Sequence, residues 1–245
     1  MSLLVYIILG GSSAVAALGI YQFMLPDYIK LGGMLVPVIL ALSIVALALI
    51  AERLVTLRKI RGAGAPRAFA EDLQASLRDK DVPRAIDACR RQGGSLANVV
   101  GAGLERFHAT ASRNGAIDFR MMETRRAIQE ANALEMPILE RNLIALSTIA
   151  SIATMIGLLG TVIGMIRSFR AMATVGTPDA IQLATGISEA LINTAGGLLL
   201  AIVAIIAYNA FTAKAEAISH TIEETAFDVL DTLSSQLEES RGSAA

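Results

Sequence analysis

The sequence predicts an all-α, polytopic membrane protein with three core transmembrane helices, an N-terminal fourth and long helical cytoplasmic extensions. Composition is the first reason: 54% of the 245 residues are hydrophobic and 18% charged, and the charges are gathered into a few segments. The second is that Leu31 to Ala51, Asn142 to Ile166 and Ala190 to Ala213 contain no carboxylate, lysine or arginine. Each is long enough, at about 20 helical residues, to cross a hydrocarbon core of roughly 30 Å. A water-soluble helix of that length would carry a charged stripe. Third, the chain shows no alternating strand pattern of useful length and no internal repeat.

Taken in order, residues 1–26 form an N-terminal transmembrane helix or a signal segment. Ala14, Ala16 and Ala17 offer small residues for cleavage, but no basic residue precedes the apolar run and that run exceeds a signal core, which favours an uncleaved helix. Residues 31–53 form the first core span. Residues 54–141 form a helical region with breaks at Gly62 to Pro66, Pro83, Gly93 to Ser95 and Asn114 to Gly115, so helices are expected near 67–80, 84–91, 96–112 and 117–136. The second core span covers 142–166, a periplasmic turn 167–183, the third core span 184–213 and a helical tail 214–245. In that tail Ile218, Ile222, Ala226, Val229, Leu233 and Leu237 line one helix face.

Orientation follows from the bases. Sixteen of the 21 Lys and Arg residues lie between Arg53 and Arg141, which places 54–141 and the tail in the cytoplasm. The net charge of -1 gives no basic excess for nucleic acid. The single cysteine, Cys89, excludes an internal disulfide. Catalysis is not expected: Cys89, His108 and His220 are isolated, no metal-ligand cluster is present, and no GxxxxGK loop occurs.

Function is sought instead in the polar residues of the last two spans. Ser147, Ser151, Thr154, Thr161 and Ser168, with Leu158, make one stripe on the second core span. Two readings stand, a hydrated or partner-facing lining and ordinary close packing of helices. Gly157, Gly160 and Gly164, together with Gly197 on the next span, supply small-residue spacing for such packing. Glu189 is the one acid between Asp179 and the end of the third span. It lies roughly 13 Å along the helix from Ala180, near the outer edge of the hydrocarbon. A carboxylate there is expensive unless paired or hydrated, so function is the default reading, and a snorkelling acid or an inter-subunit hydrogen bond is the alternative. Asn193, four residues on, shares its face and is placed to bond Glu189 or its partner. Thr194 lies about 140° around the helix from Glu189. It joins Gly186, Ala190, Gly197 and Ala201 on a small-residue face, so Thr194 is expected to face a partner or pore and Glu189 a subunit boundary.

Gly157-Leu-Leu-Gly-Thr-Val-Ile-Gly-Met-Ile166, followed by Ile187-Ser-Glu-Ala-Leu-Ile-Asn-Thr-Ala-Gly-Gly-Leu198, resembles the paired signature of the MotA/TolQ/ExbB proton channel family. The likeness covers about Leu31 to Leu237 and is nearer the ExbB/TolQ branch than MotA. It implies a homopentamer around two copies of an ExbD- or TolR-like single-span partner in the bacterial inner membrane, with protons as the transported ion and no other cofactor. It also implies that Thr161 and Thr194 face the pore, that Glu189 is the intramembrane glutamate, and that the principal proton-binding Asp belongs to the partner. Ser147, Ser151 and Thr154 are further pore-lining candidates, and Asn193 joins the proton pathway. Ile163, Asn193 and Val203 stand where the family more often has an aromatic, a small residue and a nearby proline. The work implied is TonB-type uptake, a Tol-Pal-type function, or gliding or another motility motor. A non-conducting scaffold is the rival reading.

Overall fold

The computed structural model describes residues 3–23, 26, 29, 31–111, 117–174 and 180–242. The described residues are almost wholly helical, and none among them lies in a strand. The helices are α1 (Leu3–Phe23), α2 (Leu35–Ile60), α3 (Pro66–Arg78), α4 (Val82–Gln92), α5 (Gly94–Ala109), α6 (Ile117–Glu140), α7 (Leu143–Thr174) and α8 (Ala180–Gly242). The break expected at Asn114 to Gly115 and the middle of the turn expected at 167–183 lie outside the described residues.

The chain divides into two units, Met1–Glu52 with Asn142–Phe211, and Arg53–Arg141 with Thr212–Ala245. Among the described residues three stretches are long and apolar enough to cross a membrane: Leu35–Ile60, Ile117–Met172, which takes in most of α7, and Ala180–Glu239 of α8. The first unit holds the apolar parts of all three and turns large hydrophobic side chains outward. Ile144 is 80% exposed, Met155 66% and Leu199 66%. Such a surface suits lipid or protein neighbours, and helices suit a bilayer because each satisfies its own backbone donors and acceptors. α1 adds a fourth apolar helix whose Ser13 and Ala17, one turn apart, are buried. Before α2 the chain turns at Leu31 to Met34, with Gly33 at φ +67, a conformation that side-chain-bearing residues rarely adopt.

The second unit is built like a water-soluble helical domain. Leu73, Leu77, Ala85, Val99, Val100, Leu104 and Ile128 fill its core, joined by Ile222, Val229 and Leu233 from the expected face of the tail. Local signals set the helix starts. Pro66 opens α3, and the Asp81 carboxylate accepts from the Arg84 N–H at 3.0 Å to cap α4, whose first turn takes Pro83 without a break. Between α4 and α5, Gly94 has φ +80 and lies against the backbone of Ile60 and Gly62, where no side chain fits.

α6 runs past Pro137 to Glu140, four residues beyond the expected end. The physical reason is Arg53, 1% exposed, whose Nη1 donates to the carbonyls of Ile138 and Leu139 at 3.3 Å each. These are terminal carbonyls with no partner further along the helix, and a guanidinium also meets the negative end of the helix dipole. Arg53→Met is therefore expected to destabilise the second unit by about 2 kcal/mol, the scale of lost charged hydrogen bonds. Thermal unfolding in detergent, followed by circular dichroism, measures it.

Cys89 is buried, and its thiol is pushed up to about 12, first by desolvation and then by the nearby Glu105 charge. Because the thiolate is the nucleophile, the folded chain keeps Cys89 protonated and unreactive at pH 8. Maleimide labelling should therefore be negligible in the native protein and complete after denaturation.

Candidate functional site in the α7–α8 pair

α7 and the first part of α8 pack antiparallel through small residues. A Cβ on Gly157 would lie 3.3 Å from the Gly197 Cα and 3.4 Å from the Thr194 Cα. One on Gly164 would lie 2.6 Å from the Gly186 carbonyl and 2.8 Å from the Ala190 Cβ, and one on Gly160 would collide with Asn193. The glycine spacing thus brings the two backbones together, which is the use small residues have between membrane helices.

This approach sets the polar contacts. Thr161 and Thr194 meet hydroxyl to hydroxyl. The Thr194 Oγ1 also has the Gly157 carbonyl of α7 at 3.0 Å and the Ala190 carbonyl of its own helix at 3.1 Å. A hydroxyl has one proton to give. With the Thr194 proton directed to a backbone carbonyl, Thr161 becomes the donor to Thr194 and keeps acceptor capacity on its own oxygen. Both threonines are half-buried, so this hydroxyl pair lies at the edge of the helix contact.

Glu189 faces elsewhere. Arg167 Nη1 donates to its Oε1 at 2.5 Å and to its Oε2 at 2.8 Å, with the Glu189 side chain 10% exposed and the Arg167 side chain 54% exposed. The half-exposed arginine thus reaches a buried carboxylate, and the pairing offsets the cost of burying the charge. The backbone of Gly33 closes over the same carboxylate, where a Cβ would strike Oε1. Asn193 does not bond Glu189. Its Nδ2 donates 2.8 Å to the Gly32 carbonyl, so Glu189 and Asn193, one helical turn apart, both hold the turn that precedes α2.

The hydroxyl stripe separates into parts. Ser147 and Thr154 are half-buried and Ser151 exposed, and Ser151 and Thr154 return their hydroxyls to carbonyls four residues back on α7, at 3.2 Å each. Ser168 is fully buried, and its hydroxyl lies 3.1 Å from the Gly164 carbonyl and 3.3 Å from the Leu183 carbonyl on α8. Arg167 belongs to none of the motifs that the sequence singles out. The signal that would have found it is that a carboxylate inside an uncharged run needs a counter-charge, and Arg167 is the first base beyond the opposing run.

Among the described residues no cluster of His, Cys, Asp or Glu is arranged to hold a metal ion.

Residues 95–224, which include this site, match the MotA/TolQ/ExbB proton channel family. The chain belongs to that family. It is 40% identical over 134 residues to the Tol-Pal system protein TolQ of Pseudomonas aeruginosa, covering 51% of this chain and 58% of that protein. It is 38% identical over 91 residues to the putative biopolymer transport protein ExbB-like 3 of Synechocystis, covering 36% and 43%. To the biopolymer transport protein ExbB of Salmonella typhimurium it is 40% identical over 85 residues, covering 35% of each. The chain thus spans about half or less of the length of the curated relatives it matches.

The packing makes a discriminating test. A Cβ on Gly197 would lie 2.6 Å from the Ala153 carbonyl and 2.8 Å from the Gly157 Cα, whereas one on Gly196 would meet Ile39 at an ordinary 3.7 Å. Gly197→Ala should cost about 1–3 kcal/mol through overpacking. Gly196→Ala should change thermal stability little, both being read by unfolding of the purified protein in detergent.

Proposed function

We propose that this chain is the multi-span subunit of a proton-driven motor of the TolQ/ExbB kind, turning proton-motive force into mechanical work on the envelope from a bacterial inner membrane. One observation carries this reading. In two facing helices whose apolar runs, 143–166 and 180–213, hold no charge but Glu189, within the stretch that matches the family, the Thr161–Thr194 hydroxyls and the Glu189 carboxylate are held at defined places by backbone register. Structural filler would not need them there, because each polar group in an apolar medium costs free energy unless it is satisfied. Relatives named for the Tol-Pal system and for biopolymer transport support the same direction.

In this reading the chain is not an enzyme and uses no cofactor, and the proton is the ion that moves. Five copies assemble in the lipid bilayer around two copies of a TolR/ExbD-like single-span partner, which transmits the work across the periplasm. Residues 54–141, with most of the bases, lie in the cytoplasm. The membrane potential supplies about 2.3 kcal/mol per charge per 100 mV, comparable with the cost of a poorly paired charge in a bilayer on insertion scales. Each proton step is therefore energetically significant. Thr161 and Thr194 line its path, and Glu189 holds the outer end.

The test uses the complex purified gently from its own host membranes. Native mass spectrometry should read five copies with two of a single-span partner. In proteoliposomes, Thr194→Val should lower proton flux roughly tenfold, about the worth of one hydrogen bond in the barrier, and Glu189→Gln should also lower it, with the oligomer intact in both. Wild-type flux in both variants would instead take Thr194 and Glu189 out of the proton path, and a wild-type complex that carries no protons would make the chain a non-conducting scaffold.

A further inference from the structure

Asn193 is 1% exposed, and its two amide atoms fare differently. Nδ2 donates to the Gly32 carbonyl at 2.8 Å, which fixes which way the amide points. Oδ1, buried beside it, has no hydrogen-bond partner among the described residues. A buried acceptor left alone forfeits about 1–3 kcal/mol, so one in a native fold calls for an explanation. One helical turn towards the N-terminus of α8 lies Glu189, and residues four apart on a helix are neighbours whose side chains lean along the same face. As a carboxylate, Glu189 has no proton to give Asn193, and both its oxygens accept from Arg167.

We infer that Glu189 is a two-position switch, held as a carboxylate by Arg167 and, once protonated, donating its O–H to the Asn193 Oδ1. The proton comes from the aqueous side on which the turn 167–183 is expected, where the Arg167 side chain is 54% exposed. It adds to one carboxylate oxygen. The charge of the pair then rises from zero to +1, carried by an Arg167 that stays protonated and turns to water. Arg167 and Asn193 are positioning residues for this carboxyl, one for each of its states. The charged groups facing Glu189 are few. Arg167 lies on α7 with the exposed Arg170 beyond it, and neither the turn Leu31 to Met34 nor the apolar parts of α2 and α8 bring another acid or base. Asp27 and Lys30 lie outside the described residues. Because Asn193 also grips Gly32 and Glu189 also abuts Gly33, the exchange acts on the turn that sets the start of α2. This inference deepens the motor reading by giving its carboxylate two partners, but its test does not depend on conduction.

Infrared difference spectra between acid and neutral buffers, taken on the whole complex in lipid, read it directly. The expected result is a carboxylic acid C=O band that is lost in Glu189→Gln and moves to higher wavenumber in Asn193→Ala. The band should return towards its original position in Asn193→Ser, which restores an acceptor. Should Asn193→Ala fail to assemble, carbonyl-labelled asparagine in the unmutated chain gives the same answer through a downward shift of one amide band on acidification. A Glu189 band that Asn193→Ala leaves in place would overturn the inference, as would an unshifted labelled amide or the absence of any Glu189 band. The flux assay judges the motor reading separately, since the band can appear in a complex that conducts nothing.

Discussion

The close approach of α7 and α8 is the contact on which the rest of the membrane unit depends. Gly157 lies against Gly197, and Gly164 against Gly186 and Ala190, at distances that admit no added Cβ without displacement. Antiparallel packing at that separation leaves no freedom over which residues meet. Thr161 falls opposite Thr194, Arg167 opposite Glu189, and Ser168 opposite Leu183. A larger side chain at the contact would separate the helices and move every one of these pairs together. The glycines therefore do their work through register, and the polar chemistry follows from it.

A membrane interior makes such register matter more than it would in water. No solvent is at hand to satisfy a polar atom that loses its partner, so each must find one in the protein or keep a path to the surface. Ser151 and Thr154 solve this by turning back to their own helix, which leaves them little to offer a neighbour. Thr161 and Thr194 solve it across the helix contact, and Glu189 solves it with a half-exposed arginine. Asn193 solves half of it and leaves an oxygen over. These four solutions separate structural polarity from polarity that can change partners.

The second unit obeys the opposite solvent logic with the same elements. Its helices bury one apolar face and leave most charge outside, and side chains satisfy two of its helix ends. The exposed Asp81 serves the start of α4, and the buried Arg53 serves the end of α6. The arginine also explains how a helix containing Pro137 reaches Glu140, since the terminal carbonyls there have a donor waiting.

The spans, their helical form and the polar residues of the candidate site were legible in the sequence alone. Uncharged runs of some 20 residues have one stable form in a bilayer, and a lone acid at the edge of such a run is costly enough to mark itself. The tail's buried face was legible too, because a regular apolar spacing maps onto one side of a helix whatever it packs against. Partners were not. That Glu189 pairs with Arg167, 22 positions away, and that Asn193 reaches back 161 positions to Gly32 depends on how the helices lie together. Periodicity assigns a residue to a face of its own helix, but only tertiary packing decides what stands opposite. For that reason the sequence could place Asn193 beside Glu189, while the structure alone shows it holding the α2 turn with an acceptor to spare.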